Sequence, residues 1–298
     1  MGEFILRNRP ELKDPYLVIG FGGWGNAGEV GTSVVKYLKD RLSAKKFGEI
    51  APEEFYDFTT VRPLIDVEDG VVRRLKMASN ELFFWKNPAQ EHDLILLLGF
   101  EPQLRWERFT RIVLGMARQW SVRRVYALGG VYDRVPHTKE PPVSAVVNYI
   151  RLKQELTPSG LGWTNYQGPS SFYSFLLMAC RRRRLEMASI WGHAPAYVQA
   201  VKNPKVCRAV LDRLTALLGL SLDLSDLKQA SDHMDDALSR LLEQNDELRS
   251  YVEQFEKEYE EQKAGQNRLS GMGEERIVRD VEAFLRREQR GREDVSED

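Results

Sequence analysis

Glu101 and His137 are the two side chains that acid–base chemistry would want in one cleft. Each follows an apolar run closed by glycine, and a carboxylate beside an imidazole can take and return a proton near neutral pH. The bland alternative for His137, beside Pro136, is a hydrogen-bonded loop residue. Ser170, after Gly168-Pro169, offers a hydroxyl that could be paired with His137. A serine opening a helix serves equally as an N-cap, and no Gly-x-Ser-x-Gly elbow is present to expose it. The glycine run from Gly20 to Gly28 contains the Gly-x-Gly-x-x-Gly spacing of a dinucleotide loop. Trp24 is too large for a turn that must let a pyrophosphate approach the backbone, and no acidic residue closes a second strand at the expected distance. Amides at the start of the helix that opens at Gly28 could still hold an anion, although a tight strand-to-helix turn also explains the glycines. The two cysteines, Cys180 and Cys207, lie in apolar, helix-like surroundings without metal-ligand spacing. No metal, no cofactor and no catalytic residue is assigned.

Positioning these residues requires strands that end near one another. Apolar runs at residues 16–20, 94–99 and 125–129 alternate with helical patterns at 28–42, 105–120 and 170–184, the arrangement of a parallel sheet covered by helices on both faces. The run 94–99 has no polar alternation and belongs in the middle of such a sheet. A further strand is expected at 187–191 and a helix at 204–218, closed by Gly219. The fold class is therefore a three-layer α/β/α domain with a mainly parallel sheet, residues 1–224. Ligands of open sheets sit beyond the carboxyl ends of the strands. The candidate crevice there is made of Trp24, Asn26, Gly28, Glu101, Trp106, His137, Thr138 and Ser170.

A formal net charge of −1 removes the electrostatic case for nucleic acid, because there is no excess of cations to release counterions. The basic run Arg181, Arg182, Arg183, Arg184 ends a helix, where the dipole favours positive charge. No apolar stretch reaches the ~20 residues that span a bilayer, so no membrane is expected, and the cysteine usage suits a reducing cytoplasm.

From residue 225 glycine and proline vanish as far as Lys263, and one long helix is expected. Leu238, Leu241, Leu248, Val252 and Phe255 fall at alternating spacings of three and four, with Asn245 in the missing place, a heptad seam in which a buried amide would fix register. A short amphipathic helix at 274–290 offers an intramolecular partner, so the seam reads equally as a hairpin or as a contact between chains. The extension is taken as 225–292.

The motifs Gly23-Trp24-Gly25-Asn26-Ala27-Gly28, Gly99-Phe100-Glu101-Pro102 with Trp106, Val135-Pro136-His137-Thr138 and Tyr166-Gln167-Gly168-Pro169 occur in an order that resembles the proteasome assembly chaperone 2 family, in its bacterial branch with a helical tail. The resemblance runs over almost the whole chain. It implies a phosphorylase- or hydrolase-like α/β/α fold, a homo-oligomer with a trimer among the options, and protein partners, without a known reaction. Two departures stand out. Asn26 replaces the family's usual acidic residue, and the final residues lack the hydrophobic-Tyr-x ending with which some archaeal relatives engage the proteasome ring. The expected function is thus a homo-oligomeric assembly or scaffolding protein. A small-molecule binder or enzyme using the strand-end crevice is the alternative.

Overall fold

The computed structural model of the chain describes residues 4–89, 91–199 and 202–266. Strand β1 (Phe4–Leu6) leads into β2 (Tyr16–Gly22), helix α1 (Val30–Arg41) and β3 (Lys45–Ile50). A hairpin, β4 (Leu64–Glu68) and β5 (Val71–Lys76), precedes β6 (Asn80–Trp85), β7 (Leu94–Phe100) and α2 (Trp106–Gln119). Then come β8 (Arg124–Asp133), β9 (Val143–Val147), α3 (Ile150–Leu156), β10 (Gly162–Trp163), α4 (Phe172–Arg182), β11 (Glu186–Pro195) and α5 (Pro204–Leu218). Helices α6 (Ser225–Gln244) and α7 (Asp246–Gln266) follow.

Nine strands form one sheet in the order β1-β3-β6-β7-β2-β8-β11-β9-β10. Its centre, β7-β2-β8-β11, is parallel, while β1, β3 and β6 on one side join antiparallel, as does β9 against β11. Alternation along β2 explains the two cores. Tyr16 and Val18 face a cluster containing Val34 and Leu38 of α1 and Val210 and Leu214 of α5. Leu17, Ile19 and Phe21 face Phe109 and Val113 of α2 and Phe172 and Leu176 of α4. Both faces of the central strands are therefore covered, as their unbroken apolar sequence requires, and the carboxyl ends of β2, β7, β8 and β11 share one rim.

The extension departs from the single long helix expected. It breaks at Asn245, whose exposed side chain accepts the Leu248 N–H at 2.9 Å. The amide caps α7 instead of fixing a buried seam. The cause is local: an Asn followed by Asp246 and Glu247 is an N-cap with an acidic first turn. Leu238 is half-buried and Leu241 exposed on α6, Leu248 is half-buried on α7, and Val252 and Phe255 are buried. The chain divides into two compact units between Gln244 and Asn245, twenty residues beyond the boundary expected at 224. Helix α6 belongs to the first unit because Leu227 enters the core shared with α1 and α5. Arg41 and Tyr37 hold Asp226, each at 2.7 Å, and Lys205 holds Asp235 at 2.7 Å. The short helix expected at 274–290 lies outside the described residues.

Candidate functional site

The loop leaving β2 carries Trp24 on the rim with 65% of its surface exposed. Asn26 behind it is spent on structure. Its Oδ1 accepts the Thr32 N–H at 3.1 Å and its Nδ2 donates to the Thr32 hydroxyl at 2.9 Å, which ties the loop to α1. Gly28 has a φ of +59°, a conformation that costs a side chain and suits glycine. Its N–H donates to the Tyr132 hydroxyl at 3.3 Å. The N–H groups of Glu29 and Val30 go to the carbonyls of Asn26 and Ala27. The Thr32 amide is taken as well, so these four N–H groups at the start of the helix are engaged within the chain.

Glu101 follows β7 and reaches across the rim to the start of α4, where its Oε1 accepts the Phe172 N–H at 2.6 Å. It also accepts from the backbone of Trp24. Glu101 does the capping that the Ser171 side chain at the N-cap position does not do. Burial raises its pKa, opposed by these two amides. Trp106 donates its ring N–H to the Pro102 carbonyl at 2.6 Å and packs edge-on against Phe172 and Phe175. It is a brace for the same corner. Ser170 is exposed and precedes the buried Ser171.

His137 does not share this corner. It is buried against the opposite face of the sheet, where the Tyr197 hydroxyl accepts its backbone N–H and meets its Nδ1, both at 2.7 Å. The His137 carbonyl accepts from Lys205 on α5. The neighbouring cavity, lined by His137, Lys205 and Met234 among others, is about 10 Å³, the room of one water. The expected pairing of Glu101 with His137 is therefore not formed, because the two loops leave adjacent parts of the sheet toward different helix layers. Thr138 is exposed in the loop after β8.

The structure brings together three residues that no motif marked. Ser144 Oγ lies 2.8 Å from His193 Nε2, and His193 Nδ1 lies 2.7 Å from Asp133 Oδ2. Hydrogen bonding to His193 lowers the Asp133 pKa below the usual carboxylate range, so the carboxylate accepts from Nδ1–H and Nε2 is the ring nitrogen that faces the serine hydroxyl. These are the roles of base and orienter in a hydrolytic triad. The surroundings of Ser144 differ from those of a nucleophile. It sits inside β9, which has β11 on one side and β10 on the other, so the amides flanking it are in ladders, where an oxyanion hole needs free donors. The signal missed in the sequence is two-residue alternation: Trp191 and His193 lie on one face of β11, and Ser144 is directly opposite Trp191. Gly129 makes room for this face, since a Cβ there would stand 2.5 Å from the Trp191 ring.

Among the described residues no group of His, Cys, Asp or Glu is arranged to hold a metal ion, and no helix is long and apolar enough to cross a membrane. A profile described as the PAC2 family matches residues 20–242. The chain belongs to the PAC2 family. A PAC2 family protein from Streptomyces avermitilis has a solved structure 29% identical to the chain, with a TM-score of 0.72 over 80% of this chain and 100% of its own. A proteasome-assembly chaperone homologue from Mycobacterium tuberculosis is also 29% identical, with a TM-score of 0.73 over 80% and 99%. An archaeal proteasome activator from Pyrococcus furiosus, 22% identical, shares the fold with a TM-score of 0.65 over 80% and 97%. No curated protein matches the chain.

Proposed function

We propose that the chain is a homo-oligomeric assembly chaperone or scaffold of the cytoplasm, a trimer among the options, that offers its strand-end rim to protein partners. The observation that carries this is the state of the rim. Its polar groups are spent on internal hydrogen bonds, while Trp24, Phe100, Leu104 and Tyr166 are exposed. Exposed aromatic and aliphatic side chains gathered at one edge suit protein docking. Relatives named as proteasome-assembly chaperones support a partner that is itself a subunit of a larger assembly. A photo-crosslinking amino acid at Trp24, expressed in the native cell, is expected to give a discrete adduct with one other protein. Absence of an adduct there, with adducts from Ser159 or another remote position, overturns the proposal.

A second reading is favoured by one observation, the series Ser144, His193 and Asp133. A hydrolase built on it would transfer an acyl group to Ser144 while His193 takes the hydroxyl proton and returns it to the leaving group. Labelling of Ser144 by a fluorophosphonate, abolished by His193→Ala, would support it; unlabelled Ser144 in folded protein would remove it.

A further inference from the structure

The β4–β5 hairpin forms a two-stranded sheet of its own, separate from the nine-stranded one, and residues 64–76 are all exposed. Two strands alone are marginal in water and need a covered face. The hairpin has such a face. Ile65 is opposite Leu75, and Val67 is opposite Val72. Directly opposed residues point to the same side, as do residues two apart on one strand. The four aliphatic side chains therefore share one face, each between 55% and 60% exposed.

The register achieves this through an irregularity between Asp66 and Val67, where Arg73 is passed over in the pairing. Without it Val72 would follow Arg74 and Lys76 to the other side. Asp66 is instead opposite Arg74, and Leu64 opposite Lys76, so that side is predominantly charged. An apolar face assembled by a bulge, on an arm with no core beneath it, marks a contact surface.

We infer that this hairpin is the oligomerisation arm and that its occupant is a second copy of the chain, with β4 of one copy paired along its edge to β5 of the next. The inference rests on the homo-oligomeric reading above and names its surface. Charge selects the pairing. β4 and the turn carry Asp66, Glu68 and Asp69, whereas β5 carries Arg73, Arg74 and Lys76. Arg73 reaches Glu68 at 3.2 Å within the hairpin, but Asp66, Arg74 and Lys76 make no ion pair among the described residues. Pairing β4 with its own copy would oppose acid to acid, and pairing β5 with its own copy base to base, both unfavourable. Acid meets base when β4 meets the neighbour's β5. That contact is head-to-tail, the kind that forms a ring when the rotation from copy to copy closes. Successive hairpins then continue one antiparallel sheet with their aliphatic faces on the same side, and ring closure removes the open edges.

Light scattering on the full chain tests this. The wild-type protein is expected at the mass of a ring, and Val67→Asp with Val72→Asp at the mass of one chain with an unchanged near-UV spectrum. Two further full-length chains isolate the charge pairing: one with Asp66→Lys and Glu68→Lys, the other with Arg73→Glu, Arg74→Glu and Lys76→Glu. Each alone is expected to be monomeric, and mixing them to restore association. A wild-type oligomer whose mass survives the Val67 and Val72 substitutions overturns the arm and leaves the oligomeric reading standing. A wild-type monomer overturns both. An oligomer lost in the valine variant, with no association on mixing the charge-reversed chains, overturns the β4-to-β5 pairing.

Discussion

At the residue scale, Glu101 shows why a group expected to do acid–base work can be a fastener. Its carboxylate accepts the Phe172 N–H from α4 and a backbone amide at Trp24, and burial raises its pKa. Because the folded protein holds that proton more tightly than the unfolded chain, the stability linked to it is fully present below the unfolded pKa. It is lost as pH rises through the folded one. Glu101→Gln keeps an acceptor oxygen without the charge. The variant is expected to match or exceed wild-type stability at pH 7, with the difference shrinking as pH falls toward 4. Glu101→Ala leaves the Phe172 amide unpaired and is expected to cost about 1–3 kcal/mol. Denaturant titrations at several pH values check both, and a Gln variant as unstable as the Ala variant would show that the charge itself is needed. The sequence placed Glu101 and Trp24 on one rim because both follow strands readable as apolar runs. It could not place His137, because which helix layer a loop turns toward depends on tertiary packing. Nor could it reveal Ser144, His193 and Asp133, whose proximity depends on the order of β8, β11 and β9.

At the element scale, signals strong on their own survived intact. Helix α5 spans 204–218 as expected, because Asn203 caps it by accepting the Val206 N–H, Pro204 opens it and Gly219 closes it with a φ of +65°. The central strands were equally legible, although β8 and β11 run four residues past their expected ends, to Asp133 and Pro195. The β4–β5 hairpin was not: its strands mix charges with aliphatics, and the bulge breaks the alternation that would announce it. The same two long strands meet at their other ends through Arg124, which is 5% exposed. It reaches Glu186 at 2.6 Å, Glu155 of α3 at 2.9 Å and the Tyr126 hydroxyl at 3.2 Å. Burial works against its charge, but these partners outweigh burial and hold it protonated. Removing one member of a buried pair strands the others, at about 3–5 kcal/mol. Arg124→Ala is expected near that cost in chemical denaturation, whereas Arg124→Met with Glu186→Leu, which removes charge from both strands, should recover part of it. Equal losses in both variants would mean that packing, not charge, dominates at this end.

At the scale of the whole molecule, the break at Asn245 decides where the folded α/β unit ends. The heptad spacing ran through that position without a gap, so periodicity favoured one helix. The cap signal of Asn245 followed by two acidic residues competed with it, and the local signal won because capping satisfies amides that an exposed turn would otherwise leave to water. The consequence is that α6 is part of the α/β unit. Leu227 lies in the core with α1 and α5, and Asp226 and Asp235 pair with Arg41 and Lys205. A chain ending at Gln244 keeps all of these contacts and is expected to unfold in a single cooperative transition with the near-UV spectrum of the full protein. A chain ending at 224 exposes the surface that Leu227 covers, worth about 2 kcal/mol, and leaves Lys205, whose side chain is only 15% exposed, without its carboxylate, for a total loss of about 3–4 kcal/mol. Urea unfolding of the two truncations makes the comparison directly, since the midpoint should fall without a large change in slope. Equal midpoints would return α6 to the extension and restore the boundary at 224, while failure of the longer truncation to fold would mean that residues after Gln244 complete the unit.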